Sequence, residues 1–181
     1  MALSVVSYPA LSEEDYERIQ AVREEHDPLY YGVIDPHITL VFPTDGVRRT
    51  TLIEHVREEA SSTAPFEVVF RCAILGDPDF EGHAHAFLVP DEGFSDLVRL
   101  HDRLYTGPLA DFLRLDLPFL PHVGIANTPD PEDCKTIVDN LNAKNFEIRG
   151  RVESFDVVEY DEEIVRPIEQ FSLSVDLGIE T

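Results

Sequence analysis

Lysine is almost missing from this chain. Of its 14 basic residues only Lys135 and Lys144 are lysines, set against 36 acidic residues, and the formal charge is −22. Binding to long polyanions depends on neutralising phosphates with basic side chains, so extended duplex nucleic acid is excluded as a partner. The only basic clusters are Arg48-Arg49 and Arg149 with Arg151. Cysteine is also scarce: Cys72 and Cys134 stand far apart, with no Cys-x-x-Cys pair. That pattern excludes a disulfide framework and a thiolate metal site, and both thiols read as buried or inert. No apolar run is long enough to span a membrane, and Met1 to Ala10 lacks the basic start and long apolar core of a signal peptide. A cytoplasmic location, no membrane partner and a monomer are expected.

What is present supports a sizeable core. The chain has 181 residues, 43% of them apolar, and no linker or low-complexity run divides it, so one domain over residues 1–181 is expected. An acid excess with few lysines suits a high-salt cytoplasm, because surface repulsion is screened within about 3 Å at about 1 M salt. An acidic protein of an ordinary cytoplasm fits equally well.

Hydrophobic periodicity gives the elements. Leu3 to Ala10 reads as a strand ended near Pro9. A helix capped by Ser12, with Tyr16, Ile19 and Val22 as its apolar stripe, runs to the break at His26-Asp27-Pro28. Tyr30 and Tyr31 lie in the next loop and read as packing residues rather than a base-stacking pair. Helical patterns follow at Arg49 to Ala60, at Phe94 to Tyr105 (Phe94, Leu97, Val98 and Leu104 inward) and at Pro129 to Asn142. Strand patterns cover Phe66 to Leu75, Gly82 to Pro90, Phe146 to Tyr160 with a bend at Gly150, and Ile168 to Leu177 with Phe171, Leu173 and Val175 on one face.

Two strands carry more than packing. Pro36-His37-Ile38-Thr39-Leu40-Val41-Phe42 alternates so that His37, Thr39 and Val41 share a face opposite the apolar Ile38, Leu40 and Phe42. On one strand face His37 and Thr39 lie about 6 to 7 Å apart, within reach of one phosphate-sized group. Pro121-His122-Val123-Gly124-Ile125-Ala126 repeats the proline, the histidine and the alternation. A lone strand histidine is more often structural than catalytic, but here the surroundings repeat too. Each histidine strand is followed by a turn, a helix and a strand beginning Phe66-Glu67 or Phe146-Glu147. The repeat predicts a duplicated architecture whose pseudo-two-fold axis brings both histidines to one cleft.

On His37-Ile38-Thr39-Leu40 and Pro121-His122-Val123-Gly124 the chain resembles the two-histidine phosphoesterase superfamily, which includes 2′-5′ RNA ligase-like proteins and cyclic phosphodiesterases. The resemblance implies an α+β, bilobal, pseudo-two-fold duplicated fold, in which two mainly antiparallel sheets form a central cleft with helices outside. It implies catalytic roles for His37 and His122, substrate binding by Thr39 and at Gly124, and no cofactor. The substrate would be a small cyclic nucleotide or an RNA end, with the acidic charge favouring the small one. One departure stands out: the family's second motif places Thr or Ser where this chain has Gly124, and glycine offers only its backbone N–H.

Two imidazoles titrating near about 6.5 can serve as base and acid near neutral pH without a metal. Two other classes compete. A phosphate-binding module that has lost turnover fits Gly124. A metal-dependent hydrolase would use His83 and His85, a strand His-x-His near Asp79 and Glu81, though no recognisable third ligand completes a zinc set.

Overall fold

The computed structural model describes residues 2–76, 82–161 and 164–174. Along the chain these form β1 (Ala2–Ser7), β2 (Ala10–Leu11), α1 (Glu13–His26), β3 (Ile38–Thr44), α2 (Arg49–Ser61), β4 (Phe66–Leu75) and β5 (Ala84–Glu92). There follow α3 (Phe94–Leu104), a 3₁₀ turn (Gly107–Phe112), β6 (Val123–Thr128), α4 (Pro131–Asn142), β7 (Ile148–Val152), β8 (Ser154–Asp161) and β9 (Ile164–Ser172).

The strands make two antiparallel sheets, β3-β1-β8-β9 and β2-β7-β4-β5-β6, which form a central cleft with the helices outside. Helices α2 and α3 pack on the first sheet, α1 and α4 on the second. The duplication is visible in the strand order. Counted from the histidine-bearing edges, β3, β1 and β8 match β6, β5 and β4. Leaving aside the added β2 and β7, each half runs strand, helix, histidine strand, helix, strand, and its last strand (β4 or β8) crosses into the other half's sheet; β4 therefore matches β8, not the strand after Phe146 that the sequence repeat paired with it. That exchange joins the two sheets through the chain itself.

Local chemistry explains the helix starts. The Ser12 hydroxyl accepts from the Asp15 amide (3.1 Å), Asp130 accepts from the Glu132 amide (2.9 Å), and Pro131 stands at a first helical position, where no N–H is required. Alternation on the sheets sends Val5, Ile38, Phe155 and Val157 to the helix side of the first, and Val68, Phe70, Leu88 and Ile125 to that of the second, all nearly or fully buried. The Asn142 amide bonds both the N–H and the carbonyl of Ala73, tying α4 to β4.

Several sequence expectations change. Leu3 to Ala10 is two strands in different sheets, because Pro9 ends one ladder and the chain crosses over. Phe146 to Tyr160 likewise divides at Glu153 rather than bending at Gly150, with β7 and β8 in different sheets. Tyr16 is 39% exposed, and the buried positions of α1 are Ile19 and Arg23. Helix α3 buries Leu97, Leu100, His101 and Leu104 and leaves Phe94 and Val98 half-buried. Cys134 is buried but Cys72 is exposed. Val175, Asp79 and Glu81 lie outside the described residues. Among the described residues, no helix is long and apolar enough to cross a membrane.

Candidate active site

His37 and His122 each stand one residue before their strand, held in place by the same local device. The His37 Nδ1–H donates to the Asp35 carbonyl (2.9 Å), and the His122 Nδ1–H donates to the Leu120 carbonyl (2.7 Å), in both cases two residues back. A ring whose Nδ1 proton is committed to a carbonyl presents Nε2 with its lone pair outward, the tautomer a base requires. The two rings are close enough that the charge of His122 lowers the pKa of His37. Burial dominates at both sites and brings each pKa to about 4, with a lesser contribution at His122 from His85. Near neutral pH both imidazoles are uncharged.

Thr39 lies half-buried on β3, paired with Val6 of β1, on the face that carries His37. On the opposite lobe Gly124 pairs with Phe87, and a Cβ at Gly124 would meet no heavy atom within 4 Å. The position where the family places a hydroxyl is therefore open, not filled by another side chain. The two motifs thus stand on the edge strands of the two sheets, with His37 and His122 near enough to interact, and all four residues are candidates for the site.

Aromatic rings fix His122. Phe87 stacks on it with centroids 3.8 Å apart, and His85 in turn stacks on Phe87 at 5.9 Å. Gly76 leaves room for this column, since a Cβ there would lie 2.3 Å from the Phe87 ring. His85 is buried on the same strand face as Phe87, while His83 is half-buried just before β5. Among the described residues no three His, Cys, Asp or Glu side chains converge as a metal set.

Three residues that matter here were missed in the sequence. Arg23 is 2% exposed and forms an ion pair with Asp27 (2.9 Å). It also donates to the carbonyls of Tyr30 (3.0 Å) and Ile34 (2.7 Å), so it shapes the loop that delivers His37. Asp27 in turn accepts from Asn127 of β6, which connects that loop to the second histidine strand. His101 of α3 donates from Nδ1 to the Leu40 carbonyl (2.9 Å) and stacks on Phe119 at 3.7 Å, joining β3 to the segment that enters His122. The spacing of Leu97, Leu100, His101 and Leu104 marks His101 as buried; Arg23, four residues after Ile19, carries the same signal.

Three of the four arginines in the supposed basic clusters are engaged in ion pairs. Arg49 pairs with Glu159 (3.6 Å), Arg149 with Glu147 (2.7 Å) and Arg151 with Glu67 (2.6 Å), while Arg71 joins Glu147, Asp91 and Glu92.

Two antiparallel sheets, exchanged third strands and a histidine at the head of each edge strand define the two-histidine phosphoesterase class. The chain belongs to the 2′-5′ RNA ligase superfamily, whose family model matches residues 9–164. It is 26% identical over 160 residues to a protein of Oceanobacillus iheyensis provisionally designated a phosphoesterase, covering 87% of this chain and 89% of that one. A Geobacillus protein of the same designation is 24% identical over 157 residues, 86% of each chain. Among solved structures, a Thermus thermophilus protein superposes with a TM-score of 0.67 at 18% identity, over 97% of this chain and 100% of that one. LigT of E. coli in complex with 3′-AMP gives 0.62 at 17% identity, over 95% and 97%.

Proposed function

We propose that the protein is a metal-independent phosphoesterase that opens a 2′,3′-cyclic phosphate, or a related cyclic or 2′-5′ phosphodiester, on a small nucleotide or RNA end. The observation that carries this reading is the matched pair of imidazoles, each with Nδ1–H on a carbonyl two residues back and Nε2 free to face a shared substrate. Phosphoesterase designations among relatives and a nucleotide complex of LigT support it.

In the proposed reaction an anionic phosphodiester enters between the rings and raises the proton affinity of both, so that one takes up a proton. The neutral imidazole removes a proton from water as the water oxygen bonds to phosphorus. The imidazolium gives its proton to the departing ribose oxygen as that P–O bond breaks, which leaves a phosphomonoester. Thr39 donates to a non-bridging oxygen, and the Gly124 backbone N–H is the donor available on the other lobe. Either histidine can play either part, since both are held through Nδ1 in the same way.

A second reading, a binding module without turnover, is favoured by the open hydroxyl position at Gly124. Hydrolysis of 2′,3′-cyclic nucleotides, with and without chelator, separates the readings. Chelator-resistant turnover that falls by about 10² to 10⁴ in each of His37→Ala and His122→Ala is expected. Turnover abolished by chelator would instead indicate a metal hydrolase. Tight nucleotide binding without turnover would indicate the module.

A further inference from the structure

The strand register of the first sheet lines up a row of side chains across the cleft floor. Thr39 of β3 pairs with Val6 of β1, Val6 with Asp156 of β8, and Asp156 with Gln170 of β9. Directly paired residues share a face, so Asp156 and Gln170 lie on the same face as Thr39. With strands about 4.8 Å apart, Asp156 sits about 10 Å from Thr39, within the span of one nucleoside. Tyr8, two residues beyond Val6, completes the group. Its ring lies 6.2 Å from that of His37 and is half-buried.

Asp156 is the unusual member. It is only 7% exposed, and among the described residues no arginine or lysine pairs with it. Its oxygens accept from the Gln170 amide (2.9 Å) and the Ser154 hydroxyl (3.3 Å). Burying a carboxylate without a cation is costly, and an apolar residue would pack on a sheet face without that cost. The arrangement has a consequence at the surface: Gln170 is exposed, and because its NH₂ faces Asp156, its carbonyl oxygen turns away as an acceptor. The charges of Asp156 and Asp35 add to burial in pushing the Tyr8 pKa up to about 12, so the phenol stays neutral.

We propose that Tyr8, Asp156 and Gln170 form a nucleoside subsite beside the histidine pair, which accepts hydroxyl or N–H donors and rejects a second phosphate. The inference rests on the phosphoesterase reading and narrows its substrate to a singly charged cyclic nucleotide with a free 5′ end. The Tyr8 and Gln170 side chains contact the nucleoside, and Asp156 orients the amide and supplies the negative field.

The test compares adenosine 2′,3′-cyclic phosphate with the same compound carrying a 5′-phosphate, in the wild type, Gln170→Leu and Asp156→Asn. Gln170 is exposed, so its variant tests the idea even where Asp156→Asn folds poorly. The wild type is expected to favour the unphosphorylated substrate by about tenfold or more in kcat/KM, the scale of about 1.4 kcal/mol of charge repulsion; the ratio moves toward one in Asp156→Asn, which removes the charge, and kcat/KM for the unphosphorylated substrate falls in Gln170→Leu, which removes the acceptor. A wild type indifferent to the 5′-phosphate, an Asp156→Asn variant that keeps its ratio, or a Gln170→Leu variant as active as the wild type would overturn the subsite. Calorimetric binding of adenosine 3′-phosphate and adenosine 3′,5′-bisphosphate asks the same question without turnover. If no cyclic substrate is hydrolysed, the phosphoesterase reading fails; discrimination in binding that Asp156→Asn erases still supports the subsite, and binding without discrimination, or none, overturns it.

Discussion

At Gly124 the second motif strand carries no side chain two residues after its histidine. The space around it admits a Cβ freely, so Gly124→Thr is expected to fold with stability within about 0.5 kcal/mol of the wild type. The added hydroxyl would face the same anion as Thr39. A hydrogen bond to a charged group is worth about 1.5 kcal/mol or more, so sulfate affinity measured by calorimetry should rise about tenfold. Unchanged affinity would mean that the second lobe does not approach the anion from this position. The histidines make a separate prediction about pH. Both have folded pKa values near 4, below the unfolded value of about 6.5. As pH falls from about 6.5 toward 4 the unfolded chain takes up protons that the native rings refuse, so stability declines through that window and the effect levels off below it. Urea denaturation across pH 4 to 7 should show a shallower decline in a His37→Gln, His122→Gln variant, since glutamine binds no proton there.

Among the elements, α1 has a role its sequence pattern conceals. A weakly amphipathic helix would normally dock through an apolar stripe, but this one is anchored by Arg23, whose guanidinium gathers Asp27 and the Tyr30 and Ile34 carbonyls beneath the His37 loop. Removing the arginine leaves Asp27, 3% exposed, as a buried charge without its counterion. Arg23→Leu should therefore cost about 3 to 5 kcal/mol in urea denaturation, and adding Asp27→Asn should recover part of that loss. A single-variant cost under about 1 kcal/mol would show that solvent reaches the pair and that the loop is held by other contacts. The local elements were largely legible in the sequence, because caps and apolar spacing act within a few residues. The stop at Pro9 was legible too, but the change of sheet there and the break at Glu153 were not, because a strand that leaves one sheet for another keeps its alternation while changing its neighbours.

Across the whole molecule the charge of −22 opposes compaction, and most arginines answer it locally by pairing with nearby carboxylates. Such exposed pairs contribute little individually, so the net repulsion persists at low salt. Raising KCl from about 0.1 M to 1 M shortens the screening length from about 10 Å to 3 Å and should raise Tm by several degrees. A Tm that falls with KCl would mean that the pairs outweigh the repulsion.

By itself the sequence determined the elements, the two histidine motifs, the duplication and the absence of a hydroxyl at Gly124, since each depends on residue identity and short-range spacing. Only the tertiary structure decided that the last strand of each half crosses over, that Phe87 and His101 hold the motif strands, and that Asp156 reaches the cleft floor. Those facts depend on which distant strands pair and in what register. One-dimensional periodicity reports the face a residue takes, but leaves open what lies opposite it.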